Sequence, residues 1–230
     1  YRYRLSTRDP KQPERYLGDP AVWDRVEKWA VKIMQRNRIA YFDGVGEAAF
    51  YAPKMDLMAT DALGREWQLS TVQIDFVMPE RFDLKYVNAQ GKEERPVMIH
   101  RAILGSTERF MMILLEHYAG ALPLWLSPIQ VRIASVGKDH QKFCHDLSVK
   151  FQNESIRTDV DDNNETIGNK IRKASHEKVP YTLVIGDKEM QSGKLAVRIR
   201  GAQKIVEMES KAFIDRLKKS ISERASALDL

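Results

Sequence analysis

The sequence predicts an α+β domain built on an antiparallel sheet, followed by a three-layer α/β domain. In the first part, strand-like stretches are joined by a short turn and followed by a helix, without the repeated strand–helix–strand units of a parallel sheet. In the second part, strands and helices alternate, which favours parallel strands. The segment LPLWLSPIQ, with two prolines, separates the two patterns. We place the boundary at Pro128 and predict domains 1–127 and 128–230.

The first domain opens inside a predicted strand that contains LSTR (5–8), and an amphipathic helix is predicted over 21–37. In this helix the apolar side chains recur at intervals of three and four residues, at Val22, Val26, Trp29 and Ile33. A glycine-rich loop, DGVGEAA, is predicted after the helix.

A hairpin and a strand–helix pair complete the first domain. The stretches AFYAPKMDLMATD and EWQLSTVQIDFVM flank the turn ALGR, which predicts two antiparallel strands. Residues 95–104 form a further strand, which ends at the turn Gly105-Ser106-Thr107. A helix is predicted from Glu108 to Tyr118, ending before Gly120.

The second domain is predicted to have the order βαβαββα. Its strands lie in IQVRIASV, IRTDVD, YTLVIG and KLAVRIR, and its helices in HQKFCHDLSVKFQNE, ETIGNKIRKASHEK and SKAFIDRLKKSISERAS. This order predicts a compact α/β unit whose first strands are parallel and whose last two strands form a hairpin.

Composition and charge exclude several classes of protein. No run of 18 apolar residues is present, so we expect no membrane span, and the N-terminus lacks the apolar segment of a secretory signal. The single cysteine, Cys144, excludes an internal disulfide framework and fits a reducing compartment such as the cytoplasm. Because the sequence starts without Met and inside a predicted strand, we expect it to be part of a longer chain.

The net charge of +5 is unevenly distributed. Residues 128–230 contain 19 of the 37 Lys and Arg residues and 15 of the 32 Asp and Glu residues, an excess of +4. This excess is a mild indication of nucleic-acid binding, but charge alone favours a solvated mixed surface.

His100 and Arg109 stand at the two ends of one short element. In a strand over 95–104, His100 shares a face with apolar residues, which suits either a core histidine or a metal ligand. Ser106 or Thr107 is predicted to cap the following helix. Arg109 near the N-terminus of that helix opposes the helix dipole, so we expect either an anionic or aromatic ligand or a salt bridge with a nearby acid.

The strand WQLSTVQIDF has one apolar and one polar face. Its alternation places Val72, Ile74 and Phe76 on a core face and Thr71, Gln73 and Asp75 on a face suited to lining a site. Gln68 joins the polar row only if a β-bulge intervenes.

Six blocks of sequence resemble one known family. They are LSTR (5–8), AFYAPK (49–54), DALGREWQLSTVQIDF (61–76), PVMIHRAILGSTERF (96–110), GALPLWLSPIQV (120–131) and VPYTLVIGDKE (179–189). In collinear order they resemble threonyl-tRNA synthetase, and the stretch around GSTERF resembles the third signature motif of class II synthetases. The resemblance implies the second half of a class II catalytic core, with its antiparallel sheet, followed by an anticodon-binding domain.

The resemblance implies ATP-dependent activation of threonine and its transfer to tRNA(Thr), with Mg²⁺ accompanying ATP. In this family a Zn²⁺ ion holds the amino group and hydroxyl of threonine, and such bonding rejects valine. Matching positions give His100 as a zinc ligand; Arg109, Gln68 and Ser106 at ATP; Tyr51, Gln68, Thr71, Gln73 and Ser106 at the substrate; and Arg109, Gln73 and Lys54 as catalytic residues. We expect His100 and Arg109 to face one cavity near Gln73 and Tyr51.

In the second domain, Asn164, Glu189 and Arg198 match positions that contact anticodon bases, and such side chains can bond unpaired bases. Arg200, Lys170 and Arg172 are candidates for phosphate contacts. Other roles for these residues remain open, with Asn164 as a helix N-cap and Arg198 and Arg200 as exposed strand charges.

The sequence departs from the family at Ala48, Ala52 and Leu69, where two glycines and a cysteine are usual. In the family, two further zinc ligands, a Cys and a His, and the first two class II motifs precede the LSTR block. We therefore expect an incomplete zinc site and little or no ligase activity from these 230 residues alone. The intact protein is expected to be a homodimer. The alternative is a non-catalytic tRNA-binding paralogue or fragment that retains the fold.

Overall fold

The computed structural model describes all 230 residues, which form two compact units, Tyr1–His117 and Tyr118–Leu230. The second unit begins before the predicted boundary at Pro128, because the 3-10 turn Leu124–Leu126 packs with it. Leu124 is fully buried in the hydrophobic core of that unit. No helix in the structure has the length and apolar character that crossing a membrane requires.

The first unit contains a five-stranded sheet with two further short strands. Its elements are β1 (Arg2–Thr7), α1 (Pro20–Arg36), β2 (Tyr41–Val45), β3 (Lys54–Thr60), β4 (Glu66–Asp75), α2 (Val77–Arg81), β5 (Tyr86–Val87), β6 (Glu93–Glu94), β7 (Met98–Ala102) and α3 (Thr107–His117). The strand order is β2-β1-β3-β4-β7, and only the β1–β2 pair is parallel. The predicted antiparallel α+β domain is confirmed.

Helix α1 forms where expected but turns a different face to the core. Asp19 caps it by accepting a hydrogen bond from the N–H of Ala21. The buried side chains are Trp23, Val26, Ala30 and Met34. Trp29 and Ile33, two of the apolar residues whose spacing predicted the helix, are 44% and 40% exposed. The small side chain of Ala30 allows close packing, which an apolar pattern based on large residues does not detect.

The predicted glycine-rich loop is partly a strand. β2 includes Asp43 and Gly44, which pair with Leu5 and Ser6 of β1. A Cβ atom on Gly44 would lie 2.8 Å from side-chain carbons of Arg4. This glycine therefore makes room for a side chain of the neighbouring strand.

A β-bulge interrupts the pairing of β3 with β4. Leu57 pairs with Ser70 and Met58 with Gln68, so Leu69 is the extra residue. Gly105, with φ of 71°, closes over the bulge, and a Cβ atom there would lie 3.0 Å from the carbonyl oxygen of Leu69. This is the bulge that the sequence requires for Gln68 to face the same side as Thr71 and Gln73.

The second unit contains a five-stranded mixed sheet. Its elements are β8 (Val131–Ser135), α4 (Gln141–Asn153), β9 (Thr158–Asp161), α5 (Ile167–His176), β10 (Tyr181–Ile185), α6 (Asp187–Ser192), β11 (Lys194–Ile199), β12 (Ile205–Glu209) and α7 (Ser210–Ser222). The strand order is β12-β11-β10-β8-β9, with β9, β8 and β10 parallel. The predicted order is confirmed, and the structure adds α6 and β12.

Helices cover both faces of this sheet. The chain moves from β8 to β9 through α4 and returns past β8 to β10 through α5, so right-handed crossovers place these helices on opposite faces. The hydrophobic core lies on the α4 side, where Phe213 of α7 packs against both Phe151 of α4 and Tyr181 of β10.

Candidate functional site

A row of polar side chains crosses the sheet of the first unit. Lys54 pairs with Gln73, and Gln73 pairs with His100, so the three lie side by side on one face of β3, β4 and β7. In the next row, Asp56 pairs with Thr71. The bulge brings Gln68 to this same face, opposite Met58, and therefore joins it to the predicted polar row.

Tyr51 connects two members of this row. Its hydroxyl donates a 2.8 Å hydrogen bond to Oε1 of Gln73, and its ring lies 5.4 Å from the ring of His100. Because Oε1 accepts from Tyr51, the amide group of Gln73 is oriented, and its Nε2 donates to no group of the chain. His100, Gln73 and Tyr51 therefore lie together, as expected from the sequence.

Asp75 has a different role from the one its strand position predicted. Its side chain is fully buried rather than lining an open site. Oδ1 accepts 2.9 Å hydrogen bonds from the N–H groups of Val77 and Met78 at the start of α2, and Oδ2 lies 2.8 Å from Nε2 of His100. A carboxylate can only accept, so Nε2 carries the proton and Nδ1 keeps its lone pair.

A buried carboxylate organises the other end of the polar face. Asp56 is fully buried and accepts hydrogen bonds from Ser6 at 2.8 Å, Gln68 at 3.0 Å and Arg4 at 3.1 Å. Arg4 also donates to Oε1 of Gln68 at 3.1 Å, so both ends of the Gln68 amide are held. The ammonium group of Lys54 lies 3.7 Å from Asp56.

Arg4, Ser6 and Asp56 were not among the residues predicted to form the site. Each is a polar residue at a strand position that faces the same side as Gln73. The detectable signal was therefore polar alternation in RLS (4–6) and KMD (54–56), in two strands that only the fold brings together.

The hydroxyl of Thr71 is a further feature of this face. Its Oγ1 atom is buried and has no hydrogen-bond partner within the chain. An unpaired buried hydroxyl costs about 1–3 kcal/mol. It therefore marks a place where a bound polar group would be favoured.

Arg109 lies at the start of α3. Its backbone N–H donates to Oγ of Ser106 at 3.3 Å, so Ser106 is the N-cap. The guanidinium group is exposed and forms no hydrogen bond or ion pair, which leaves the expected salt bridge without support. The two larger cavities of the first unit are lined by other residues than Arg109 and His100, so a cavity shared by these two side chains stays a prediction.

His100 is the residue of this chain that was predicted to bind zinc. No three His, Cys, Asp or Glu side chains lie close enough together to hold a metal ion. His100 offers one nitrogen, Nδ1, since Nε2 is bonded to Asp75. Cys144 is buried in α4 of the second unit.

In the second unit, Asn164 lies in the segment between β9 and α5. The cap of α5 is Thr166, whose hydroxyl accepts from the N–H of Asn169, so the alternative role of Asn164 as N-cap is wrong. The side chain of Asn164 is exposed and bonds to no other group. Its amide is therefore available to a ligand.

Glu189 lies in α6, directly after β10, and Arg198 lies in β11. Oε2 of Glu189 accepts a 3.0 Å hydrogen bond from the N–H of Gly186, which fixes the side chain and leaves Oε1 without a partner. Arg198 is half-buried, and its Nε is buried without an acceptor, unlike that of an exposed strand charge. Arg198 pairs with Thr182 across the sheet, on the face opposite the hydrophobic core.

Two of the three candidates for phosphate contacts have structural roles instead. Lys170 is 2% exposed, and its ammonium donates to the carbonyl oxygens of Ser135 at 2.8 Å and Asp161 at 3.1 Å. Arg200 donates to the carbonyl oxygens of Lys178, Ala121 and Leu122, and burial lowers the pKa of its guanidinium. Arg172 is exposed and bonds only to the side chain of Asn169.

Two family models match the chain. Residues 8–118 match the class II core domain of tRNA synthetases for G, H, P, S and T, and residues 130–220 match an anticodon binding domain.

Curated relatives match along nearly the whole chain. The threonine–tRNA ligase of Thermotoga neapolitana is 43% identical over 230 residues, which are 100% of this chain and 35% of the relative. That of Ligilactobacillus salivarius is 49% identical over 214 residues, 93% of this chain and 33% of the relative. The chain thus spans about a third of the length of these relatives.

Two solved structures of threonyl-tRNA synthetases share this fold. The RNA binding domain of threonyl-tRNA synthetase from Cryptosporidium parvum superposes with a TM-score of 0.83 at 32% identity, over 95% of this chain and 54% of the other. A putative threonyl-tRNA synthetase from Aeropyrum pernix gives a TM-score of 0.64 at 26% identity, over 99% of this chain and 56% of the other.

Proposed function

Since this chain belongs to the threonyl-tRNA synthetase family of class II aminoacyl-tRNA synthetases, we propose that it supplies part of the threonine-activating site and the anticodon-binding domain of a threonine–tRNA ligase. The observation that carries this proposal is the contact of Tyr51, Gln73 and His100 on one polar face. A non-catalytic paralogue would have no requirement to keep these three residues together.

The proposed reaction has two steps. The carboxylate of threonine attacks the α-phosphate of ATP and releases pyrophosphate, and a hydroxyl of the terminal ribose of tRNA(Thr) then takes the threonyl group from the adenylate and releases AMP. Both steps depend on positioning and on stabilisation of phosphate charge, with Mg²⁺ bound to ATP. No side-chain nucleophile is required.

Each side chain of the polar face has a proposed part in binding. The oriented amide of Gln73 and the hydroxyl of Tyr51 would hold threonine, with Thr71 beside them. Lys54 and Gln68, fixed by Asp56, would face the adenylate. Arg109 lies at the start of α3, where its backbone N–H is bonded to Ser106. Its unpaired guanidinium group would bind ATP.

Zinc remains a proposal, with no step of the reaction assigned to it. His100 would supply Nδ1 as one ligand, and the other ligands would come from outside these 230 residues. We also propose that the 230 residues alone lack ligase activity, that the intact enzyme is a homodimer, and that it acts in the cytoplasm.

The RNA-binding part of the proposal can be tested on this chain directly. We expect the chain to bind a tRNA(Thr) transcript more tightly than the same transcript with an exchanged anticodon, measured by filter binding at one fixed salt concentration. Equal binding of the two transcripts would mean that only non-specific phosphate contacts are made, and anticodon recognition would be rejected.

A further inference from the structure

Two loops of the second unit follow neighbouring parallel strands and are built alike. After β8, Nδ1 of His140 accepts a 3.0 Å hydrogen bond from the N–H of Gly137. After β10, Oε2 of Glu189 accepts a 3.0 Å hydrogen bond from the N–H of Gly186. Because β8 and β10 are paired in register, the two loops leave the sheet side by side.

A hydrogen bond joins these loops. Nε2 of His140 lies 3.1 Å from Oδ1 of Asp187, the first residue of α6. Since Nδ1 already accepts from Gly137, the neutral ring carries its proton on Nε2 and donates it to Asp187. His140 is only 8% exposed, so its buried ring holds the exposed carboxylate of Asp187 in place.

Helix α6 depends on such contacts for its position. It has six residues, and none of them is buried. A helix of this length has little stability of its own. Two of its side chains form hydrogen bonds to other segments of the chain: Asp187 with His140, and Lys188 with Glu207. Both residues of the second pair are exposed.

We propose that His140 is a positioning residue for RNA binding: its bond to Asp187 fixes the start of α6 and thereby places the free Oε1 of Glu189 against an anticodon base. This inference rests on the proposed anticodon-binding role of Glu189. It concerns a residue that touches no RNA itself and acts through a hydrogen bond.

Two substitutions of the same exposed residue separate hydrogen bonding from charge. Asp187→Ala and Asp187→Asn remove the same negative charge, which by itself strengthens RNA binding. Only asparagine keeps an oxygen that accepts from His140. We expect Asp187→Ala to weaken binding of the tRNA(Thr) transcript about fivefold, and Asp187→Asn to stay within about twofold of the unaltered chain.

The matched control is Asp139→Ala. Asp139 is an exposed carboxylate in the loop beside His140 and forms no hydrogen bond or ion pair. Its removal is expected to leave binding unchanged or slightly tighter. All three variants alter exposed positions, and equal unfolding midpoints will verify that they fold.

The outcomes separate this proposal from the one on which it rests. If Asp187→Ala binds as tightly as Asp139→Ala while the unaltered chain still distinguishes the two anticodons, the positioning role of His140 is overturned and anticodon binding stands. If the unaltered chain does not distinguish the anticodons, both proposals fail together.

Discussion

Nε2 of His100 lies 2.8 Å from Oδ2 of Asp75, a buried carboxylate that also accepts hydrogen bonds from the N–H groups of Val77 and Met78. One side chain therefore fixes the start of α2 and the orientation of the imidazole ring. It also decides which nitrogen of His100 is left for a ligand, because the proton on Nε2 is engaged.

Replacing Asp75 should reduce the stability of the first unit. Asp75→Ala leaves two backbone N–H groups and the His100 ring without an acceptor, and we expect the free energy of unfolding to fall by about 3 kcal/mol. Urea unfolding followed by tryptophan fluorescence measures this loss. Asp43→Ala, which removes an exposed carboxylate from β2, should change the stability by no more than about 0.5 kcal/mol. Equal stability of the two variants would contradict the role assigned to Asp75.

The same carboxylate predicts the tautomer of His100. In the unaltered chain, ¹⁵N NMR should show the proton on Nε2. In Asp75→Asn, the side-chain oxygen is needed by the two backbone N–H groups, so the amide NH₂ faces Nε2 and the proton should move to Nδ1. A proton on Nδ1 in the unaltered chain would refute this assignment.

Arg4 and Asp56 should show strong energetic coupling. Removing either partner takes the hydrogen-bonded ion pair from the other, which keeps one weaker partner, Lys54 at 3.7 Å from Asp56 or Glu47 at 3.3 Å from Arg4. We expect each alanine variant to lose about 2–3 kcal/mol. The double variant should lose less than the sum by about 1–3 kcal/mol. A double-mutant cycle by urea unfolding measures this coupling. Additive losses would show that the hydrogen bonds between them contribute nothing.

Arg198 should contribute to RNA binding more than an ordinary exposed arginine. Its buried Nε lacks an acceptor, which an RNA base or phosphate would provide. We expect Arg198→Ala to weaken binding of a tRNA(Thr) transcript about tenfold. Arg216→Ala, which removes an unpaired, exposed charge from α7, is the control and should change binding by less than about threefold. Equal effects of the two variants would remove Arg198 from the binding site.

Stability of the second unit should fall in alkaline solution. Burial raises the pKa of the Cys144 thiol from 9.0 to about 11 and that of Tyr181 from 10.0 to about 12. Above pH 9 the unfolded chain therefore binds fewer protons than the folded unit, so the free energy of unfolding decreases as the pH rises. Urea titrations at neutral pH and about pH 10 measure the change. Cys144→Ala should show a smaller decrease, and an unchanged decrease would exclude the thiol as its source.

The order of strands and helices follows from the sequence because it depends on local alternation and turn chemistry. The face that α1 buries does not, since Ala30 and Met34 are buried while the larger Trp29 and Ile33 are exposed, and tertiary packing decides this choice. Lys170 shows the same limit. Its charge suggests a surface position, but in the folded unit its ammonium group is buried and donates to the carbonyl oxygens of Ser135 and Asp161.

Those residues of the candidate site that lie on a single strand could be predicted from the sequence. Thr71 and Gln73 follow from alternation within β4, and Gln68 required a bulge that the pairing with β3 supplies. The pairing of Arg4 with Asp56 joins residues that are 52 positions apart and depends on the strand order, so no local pattern predicts it.

The most direct test of the proposed active site is an exchange assay on a chimeric enzyme. These 230 residues would replace the matching segment of the Thermotoga neapolitana ligase, to which they are 43% identical. We predict threonine-dependent exchange of pyrophosphate into ATP, lost with Gln73→Ala and far weaker with valine. A chimera that folds and binds tRNA yet shows no exchange, or equal exchange with valine, would contradict the account.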